Sequence, residues 1–297
     1  MSSPIFLKMS SWSQLFFLVL FSVLGIIIAT LLTLLVSGGS VERMQSIDFL
    51  RVMQIVQATC LFLLPACLCA YLFHEKPWSY LKIDKAIDFK FLGLAIILIV
   101  AIQPLISFTG YYNNLMTFPE SLAGFERWMR AMENSTQALI EKLLTTQSVS
   151  ILLLNIFVIA VMAGVTEEFF FRGSLQQIFK RICKNQHVAV WVAAFIFSFI
   201  HFQFYGFVPR LILGAVLGYI FLWAGNLWIP VVVHAFNNLM SVLIFHFYHD
   251  TPFYQKAQDF GTGDTLWAVV VSVALSGGIM YLLSKEYQKN NTDDFTI

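Results

Sequence analysis

Glu167 and Glu168 are adjacent, and Arg172 follows within Val165-Thr166-Glu167-Glu168-Phe169-Phe170-Phe171-Arg172-Gly173. The stretch before them, Ile151 to Gly164, is apolar apart from Asn155. Charge in such a span is costly, so an ionisable group there marks a functional site. Two later apolar runs carry His201 and His234, and Asn238 stands four residues beyond the second histidine. On a helix, Glu168 and Arg172 are i,i+4 neighbours able to form an ion pair. Glu167 then points about 100° away. Arg172 can neutralise one carboxylate while the other faces a cavity as a general base. His234 and Asn238 share a helix face one turn apart, and polar groups in hydrocarbon require partners. Asn237, next to them, is expected to serve helix–helix hydrogen bonding. The competing reading of the pair is a packing salt bridge closed by Arg172, and His201 among phenylalanines, taken singly, reads as an interior histidine. Apolar folding alone gives no reason to place all these groups in three neighbouring spans. They are expected to form one site made by three helices.

The elements that must position these residues are membrane helices. Hydrophobic residues make up 58% of the 297 and charged residues 12%, with a mean hydropathy of +0.75. Soluble chains carry about 25% charged residues. The fold class is therefore all-α, a polytopic transmembrane helical bundle of about eight spans. The apolar runs cover about 15–36, 52–73, 91–108, a fourth beginning near 150, then 188–207, 208–224, 227–247 and 266–283. The first run is too long for the apolar region of a cleavable signal. Pro65 predicts a kink in the second run. The segment from about 110 to 147 is amphipathic at helical spacing and is expected to lie on the membrane surface. Gly214 and Gly218 form a small-xxx-small face suited to close helix packing. Without an internal repeat or linker, residues 1–297 read as a single integral membrane domain.

The net charge of +1 argues against a nucleic-acid partner, which favours a basic surface. Cys60, Cys67, Cys69 and Cys183 lack metal-ligand spacing and are expected to be free thiols. In an eight-span zigzag, Lys76, Lys82, Lys85, Lys90, Lys180, Arg181 and Lys184 fall on one side with the lysines near both ends. Arg43, Arg51, Arg127, Arg130, Lys142, Arg210 and Lys256 fall on the other. The positive-inside rule then places both termini in the cytoplasm, and the expected location is a bacterial plasma membrane.

No H-E-x-x-H zinc helix occurs, and neither does a G-x-S-x-G nucleophile motif. Gly261-Thr262-Gly263-Asp264 resembles the presenilin-type G-x-G-D string. Without the Tyr-Asp partner of that family it reads as a turn before the last span. His246 and His249 read as interfacial residues.

The ordered set Glu167-Glu168-x-x-x-Arg172, Phe197-x-x-x-His201 and His234-x-x-x-Asn238 resembles the CPBP family. That family joins type II CAAX prenyl endopeptidases with bacterial bacteriocin-processing and immunity proteins. Phe171-Arg172-Gly173-x-Leu175-Gln176 and Gly214-x-x-x-Gly218-Tyr219 extend the likeness, which covers about 150–247, the expected catalytic core. The resemblance implies an intramembrane endopeptidase acting on a peptide or protein substrate, lipidated or membrane-associated, within the bilayer. It implies that Glu167 and His201 activate a water, that His234 and Asn238 stabilise the oxyanion, and that Glu168 and Arg172 hold the site together. Hydrolysis needs such a base and such donors. The family's metalloprotease label implies zinc on Glu167, His201 and His234. Without a compact ligand motif, a site lacking tightly bound metal is the expectation here, with zinc the alternative. A non-catalytic immunity factor or a proton-coupled transporter is the competing reading, since intramembrane Glu and His also build proton relays.

Overall fold

The computed structural model of the protein describes residues 4–293, and among the described residues there is no strand. Among the described residues, nine helices carry the architecture. They are α1 (Ser11–Ser37), α2 (Ile47–Phe73) and α3 (Phe89–Asn114); α4 (Ala123–Leu144); α5 (Val149–Cys183); α6 (Gln186–Phe199); α7 (Phe207–Ala224); α8 (Trp228–Tyr248); and α9 (Trp267–Asp293). Among the described residues, seven helical spans are long and apolar enough to cross a bilayer. α6 supplies the eighth apolar helix. The chain is an integral membrane protein built as a polytopic helical bundle.

Polar residues at the helix ends set the boundaries. Ser10 accepts from Ser13 N at the start of α1. Asp88 accepts from Lys90 and Phe91 N at the start of α3. Asn185 accepts from His187 and Val188 N at the start of α6. These side chains take up amides that the first helical turn leaves unpaired. Gly38 and Gly225 end α1 and α7 in the left-handed region, at φ 63° and 60°, where a Cβ is disfavoured.

Two proline effects appear, one of them expected. Before Pro65, α2 widens into a π turn over Thr59–Leu63, the accommodation open to a helix that loses a backbone donor. α3 is interrupted at Ile102, just before Pro104, and runs on to Asn114, further than the expected end at 108. Side chains collect carbonyls around the break. Gln103 Nε2 donates to Ile99 O at 2.9 Å, and Ser272 Oγ of α9 donates to Ala101 O at 2.7 Å.

The site-bearing helices are α5 to α8. α5 runs unbroken for 35 residues, roughly 50 Å at about 1.5 Å per residue, with π segments at Ile156–Met162 and Phe171–Gln176. Glu167 therefore lies near its middle. The fifth span was expected to run to Phe207, but α6 stops at Phe199. The chain reverses through Ile200–Gly206, with Phe202 at φ 53°. At 14 residues, α6 is about 21 Å long, short of the ~30 Å hydrocarbon thickness. His201 consequently lies in the reversal rather than inside a span. The long α5 ends and the short α6 begins at the bend Cys183–Gln186, so the histidine reaches no deeper than Glu167.

Small residues let these helices approach. A Cβ on Gly214 would sit 3.1 Å from Phe197 Cδ1 and 3.3 Å from Ala194 Cα. One on Gly218 would sit 2.9 Å from Val190 Cγ1. The small-residue face of α7 is thus pressed onto α6, as its spacing suggests. Gly164 plays the same part where α5 crosses α8, with Ala235 N and Val231 O each 3.1 Å from its notional Cβ.

Candidate active site

The glutamate pair divides as helical geometry requires. Glu168 is fully buried, and its Oε1 accepts from Arg172 Nη1 at 2.6 Å. Arg172, 1% exposed, also donates through Nη2 to Gly214 O at 2.8 Å. That carbonyl is reachable because Gly214 carries no side chain. Arg172 further sits over the Phe197 ring, 5.0 Å from its centroid, so one guanidinium ties α5 to both α6 and α7. Glu167, on the adjacent face, remains partly exposed at 16% of its side chain.

His234 joins the two carboxylates. Its Nδ1 lies 2.8 Å from Glu168 Oε1. Since Arg172 already donates to that oxygen, the oxygen is a carboxylate acceptor and Nδ1 is the donor. Nε2 faces Glu167 Oε2 at 3.9 Å, beyond hydrogen-bond length. The ring thus stands between a neutralised carboxylate and a partly exposed one. Phe197 packs edge-on against it, with centroids 6.0 Å apart.

His201 Nδ1 is 2.6 Å from Phe197 O. A carbonyl only accepts, so Nδ1 carries the proton and Nε2 keeps its lone pair. Asn238 Nδ2 donates to Ile159 O at 3.2 Å. Ile159 lies in the first π segment of α5, where the widened turn leaves carbonyls without their usual i+4 partners. Asn237 donates through Nδ2 to Asn238 Oδ1 at 3.4 Å, and its Oδ1 accepts from Gln103 Nε2 of α3 at 3.1 Å. This is the helix–helix bond expected of it.

A further group of residues around Arg210 was not singled out by the sequence. Arg210, counted there as a loop charge, stands in the first turn of α7 within electrostatic reach of Glu167 and His201. It is clasped by Gln203, with Nη2 donating to Oε1 at 2.8 Å and Nη1 to the backbone O at 3.3 Å. Gly206 makes room for it, since a Cβ there would lie 3.2 Å from Nη2. Gln203 in turn donates to Glu133 Oε1 at 3.4 Å, and Tyr205 N donates to Glu133 Oε2 at 3.2 Å. The amphipathic helix α4 is thereby anchored to the turn that holds His201. The arginine's only sequence signal was a charge nine residues after His201, in a run rich in aromatics.

Among the described residues, no group of three or more His, Cys, Asp and Glu side chains is arranged to hold a metal ion. His234 is committed to Glu168 through one nitrogen, and its other nitrogen faces Glu167. Glu167, His201 and His234 do not make up such a group.

The segment carrying these groups has relatives. Residues 149–240 match the family model "Type II CAAX prenyl endopeptidase Rce1-like". A 99-residue stretch is 26% identical to the uncharacterized protein YpbD of Bacillus subtilis (strain 168). That stretch covers 32% of this chain and 48% of the relative, so the chain spans about half of that protein's length. No solved structure matches the chain. The Glu-Glu-x-x-x-Arg, His201 and His234-x-x-x-Asn238 motifs all fall within the matched segment, so it is residues 149–240 that are similar to the type II CAAX prenyl endopeptidases.

Proposed function

We propose that the protein hydrolyses a peptide bond of a membrane-associated substrate using a water activated by Glu167 and His201. The observation that carries this reading is the position of His234, which spans from the Glu168–Arg172 pair to Glu167. Glu168 has its charge met by Arg172 and serves as a fixed acceptor. Glu167 keeps a partly exposed oxygen free to take a proton. His201 presents a bare Nε2, a second acceptor of the kind general-base catalysis requires. As water adds to the scissile carbonyl, negative charge develops on its oxygen. The Nε2–H of His234, when both ring nitrogens carry a proton, and the remaining N–H of Asn238 Nδ2 are the donors assigned to that charge. Arg172, held by Glu168 and Gly214 O, keeps α5, α6 and α7 in the spacing this demands. A lipid-modified peptide and a bacterial plasma membrane with cytoplasmic termini complete the proposal. Reporter fusions after Lys184 and Asn290 should both report cytoplasm.

The test is Glu167→Gln. An amide cannot accept the proton, so cleavage should vanish while the thermal midpoint stays within about 2 °C of the parent. Cleavage equal to the parent's would refute the assignment. Metal dependence is checked by elemental analysis of active, chelator-washed protein, where the expectation is activity without stoichiometric zinc. Zinc that tracks activity would replace the metal-free scheme.

A further inference from the structure

On the lysine-rich end of the bundle, a cavity of about 80 Å³ opens beside α5, α6 and α7. It is lined by Lys82, Gln176, Gln177, Lys180, Gln186 and Phe221. Lys82 is held rather than loose. Its backbone is left-handed at φ 57°, its carbonyl accepts from Leu227 N at 3.0 Å, and its Nζ lies 4.8 Å from the Phe221 ring centroid. A non-glycine residue persists in that conformation only where its surroundings hold it there. Burial and the neighbouring Lys180 and Lys85 ammonium groups push Lys82 down to about 8.

Among the described residues, no carboxylate forms an ion pair with Lys82, Lys85 or Lys180. Lys90, a few residues away, does find one, in Glu286 at 3.1 Å. Two lysines lining one cavity without a carboxylate counter-charge form an electrostatic anion site. Gln176 lines the cavity as well. Gln176 is 4% exposed and its Nε2 donates to Gly218 O at 3.1 Å, which fixes the amide orientation. Its buried Oε1 has no hydrogen-bond partner within the protein. A ligand suited to this lining carries negative charge and a hydroxyl donor.

We propose that this cavity binds a phosphate group bearing or adjoining a hydroxyl, with Lys82 and Lys180 as its cationic partners and Gln176 Oε1 as its acceptor. A phosphatidylglycerol headgroup and a soluble phosphate ester share that chemistry, and basic pockets between membrane helices are known headgroup sites. Occupancy would bear on the active-site helix. Gln176 lies in the same π segment as Arg172, and the two side chains bind Gly218 O and Gly214 O, one turn apart on α7. The binding test stands apart from the protease assignment.

Full-length protein in detergent is titrated with phosphatidylglycerol, phosphatidylcholine or glycerol 3-phosphate, and read by native mass spectrometry and thermal midpoint. Phosphatidylglycerol should be retained and raise the midpoint, whereas phosphatidylcholine should do neither. Lys180→Gln, at an exposed helical position that tolerates change, should weaken binding about fivefold. The Lys82→Gln/Lys180→Gln pair should weaken it about 25-fold. Lys76→Gln removes a charge from the same face outside the cavity and should change affinity less than twofold. Displacement of the lipid by glycerol 3-phosphate would make the ligand a soluble ester; no displacement makes it the lipid. Equal losses in Lys76→Gln and Lys180→Gln, or equal retention of phosphatidylcholine, would overturn the site.

Discussion

Arg172→Met tests the tie between α5, α6 and α7. Methionine keeps an unbranched stem and removes the guanidinium. Glu168, with no exposed surface, would lose its 2.6 Å partner and keep only the 2.8 Å contact from His234. Gly214 O would lose its 2.8 Å donor as well. Removing one member of a buried ion pair typically costs about 3–5 kcal/mol, because the remaining charge stays buried. At roughly 2 °C per kcal/mol for a chain of this size, the thermal midpoint should fall by about 6–10 °C. Glu168→Gln in the same chain removes the stranded charge. The double variant should recover to within about 2 kcal/mol of the parent, a strong coupling for residues in contact. Thermal unfolding in one detergent, followed by tryptophan fluorescence, gives all four corners of the cycle. An Arg172→Met midpoint within 2 °C of the parent, or a double variant that loses the sum of the singles, would refute a structural ion pair.

Asn238→Ala should lower kcat by about 10²–10³ with little change in KM, the usual cost of losing an oxyanion donor. Asn237→Ala should be milder because its amide is engaged with Gln103; the reverse order in steady-state kinetics would mean the α8 face is misassigned. Gly164→Ala should cost about 1–3 kcal/mol, since its Cβ meets α8 backbone at 3.1 Å, and should separate Glu168 from His234. An unchanged midpoint and turnover would show that the crossing is not tight. His74 stacks on Tyr80 at 3.5 Å, and burial together with Arg181 pushes it down to about 4. The unfolded chain therefore binds the extra proton between about pH 6.5 and pH 4. Stability should fall as pH drops through that window, and His74→Gln should flatten the slope in denaturant titrations.

Much of the site was legible because its geometry is local. The spacing of Glu168 and Arg172, or of His234 and Asn238, fixes a shared face on any helix, and the structure places those groups on such faces. The eight apolar runs were visible as composition. The end of α6 was not, because Phe199, Phe202, Phe204 and Phe207 continue the hydrophobic run straight through the reversal. Hydropathy responds to side chains, and the break at Phe202 is a backbone event. Arg210 escaped notice because its role depends on Gln203, Gly206 and Glu133, the last of them 77 positions earlier in the chain. The π segments escaped because a widened turn leaves no compositional mark.

Those π segments make α5 a shaft with two phase shifters. Each inserts an extra residue's worth of rotation, about 100°, between stretches of ordinary helix. Below the first, Asn155 meets Arg51 at 2.8 Å and Leu143 O at 2.7 Å. Between the two, the glutamates face α8 and its histidine. From the second, Arg172 and Gln176 turn toward α7. A one-residue deletion at Val158 would remove the first shift and swing Asn155 off its partners while leaving the glutamates in register with His234. A deletion at Ser174 would spare Arg172 and unhook everything after it. The helix thus carries three separately aimed faces on one rod, and the clocking of the glutamates can be preserved while either end is re-aimed.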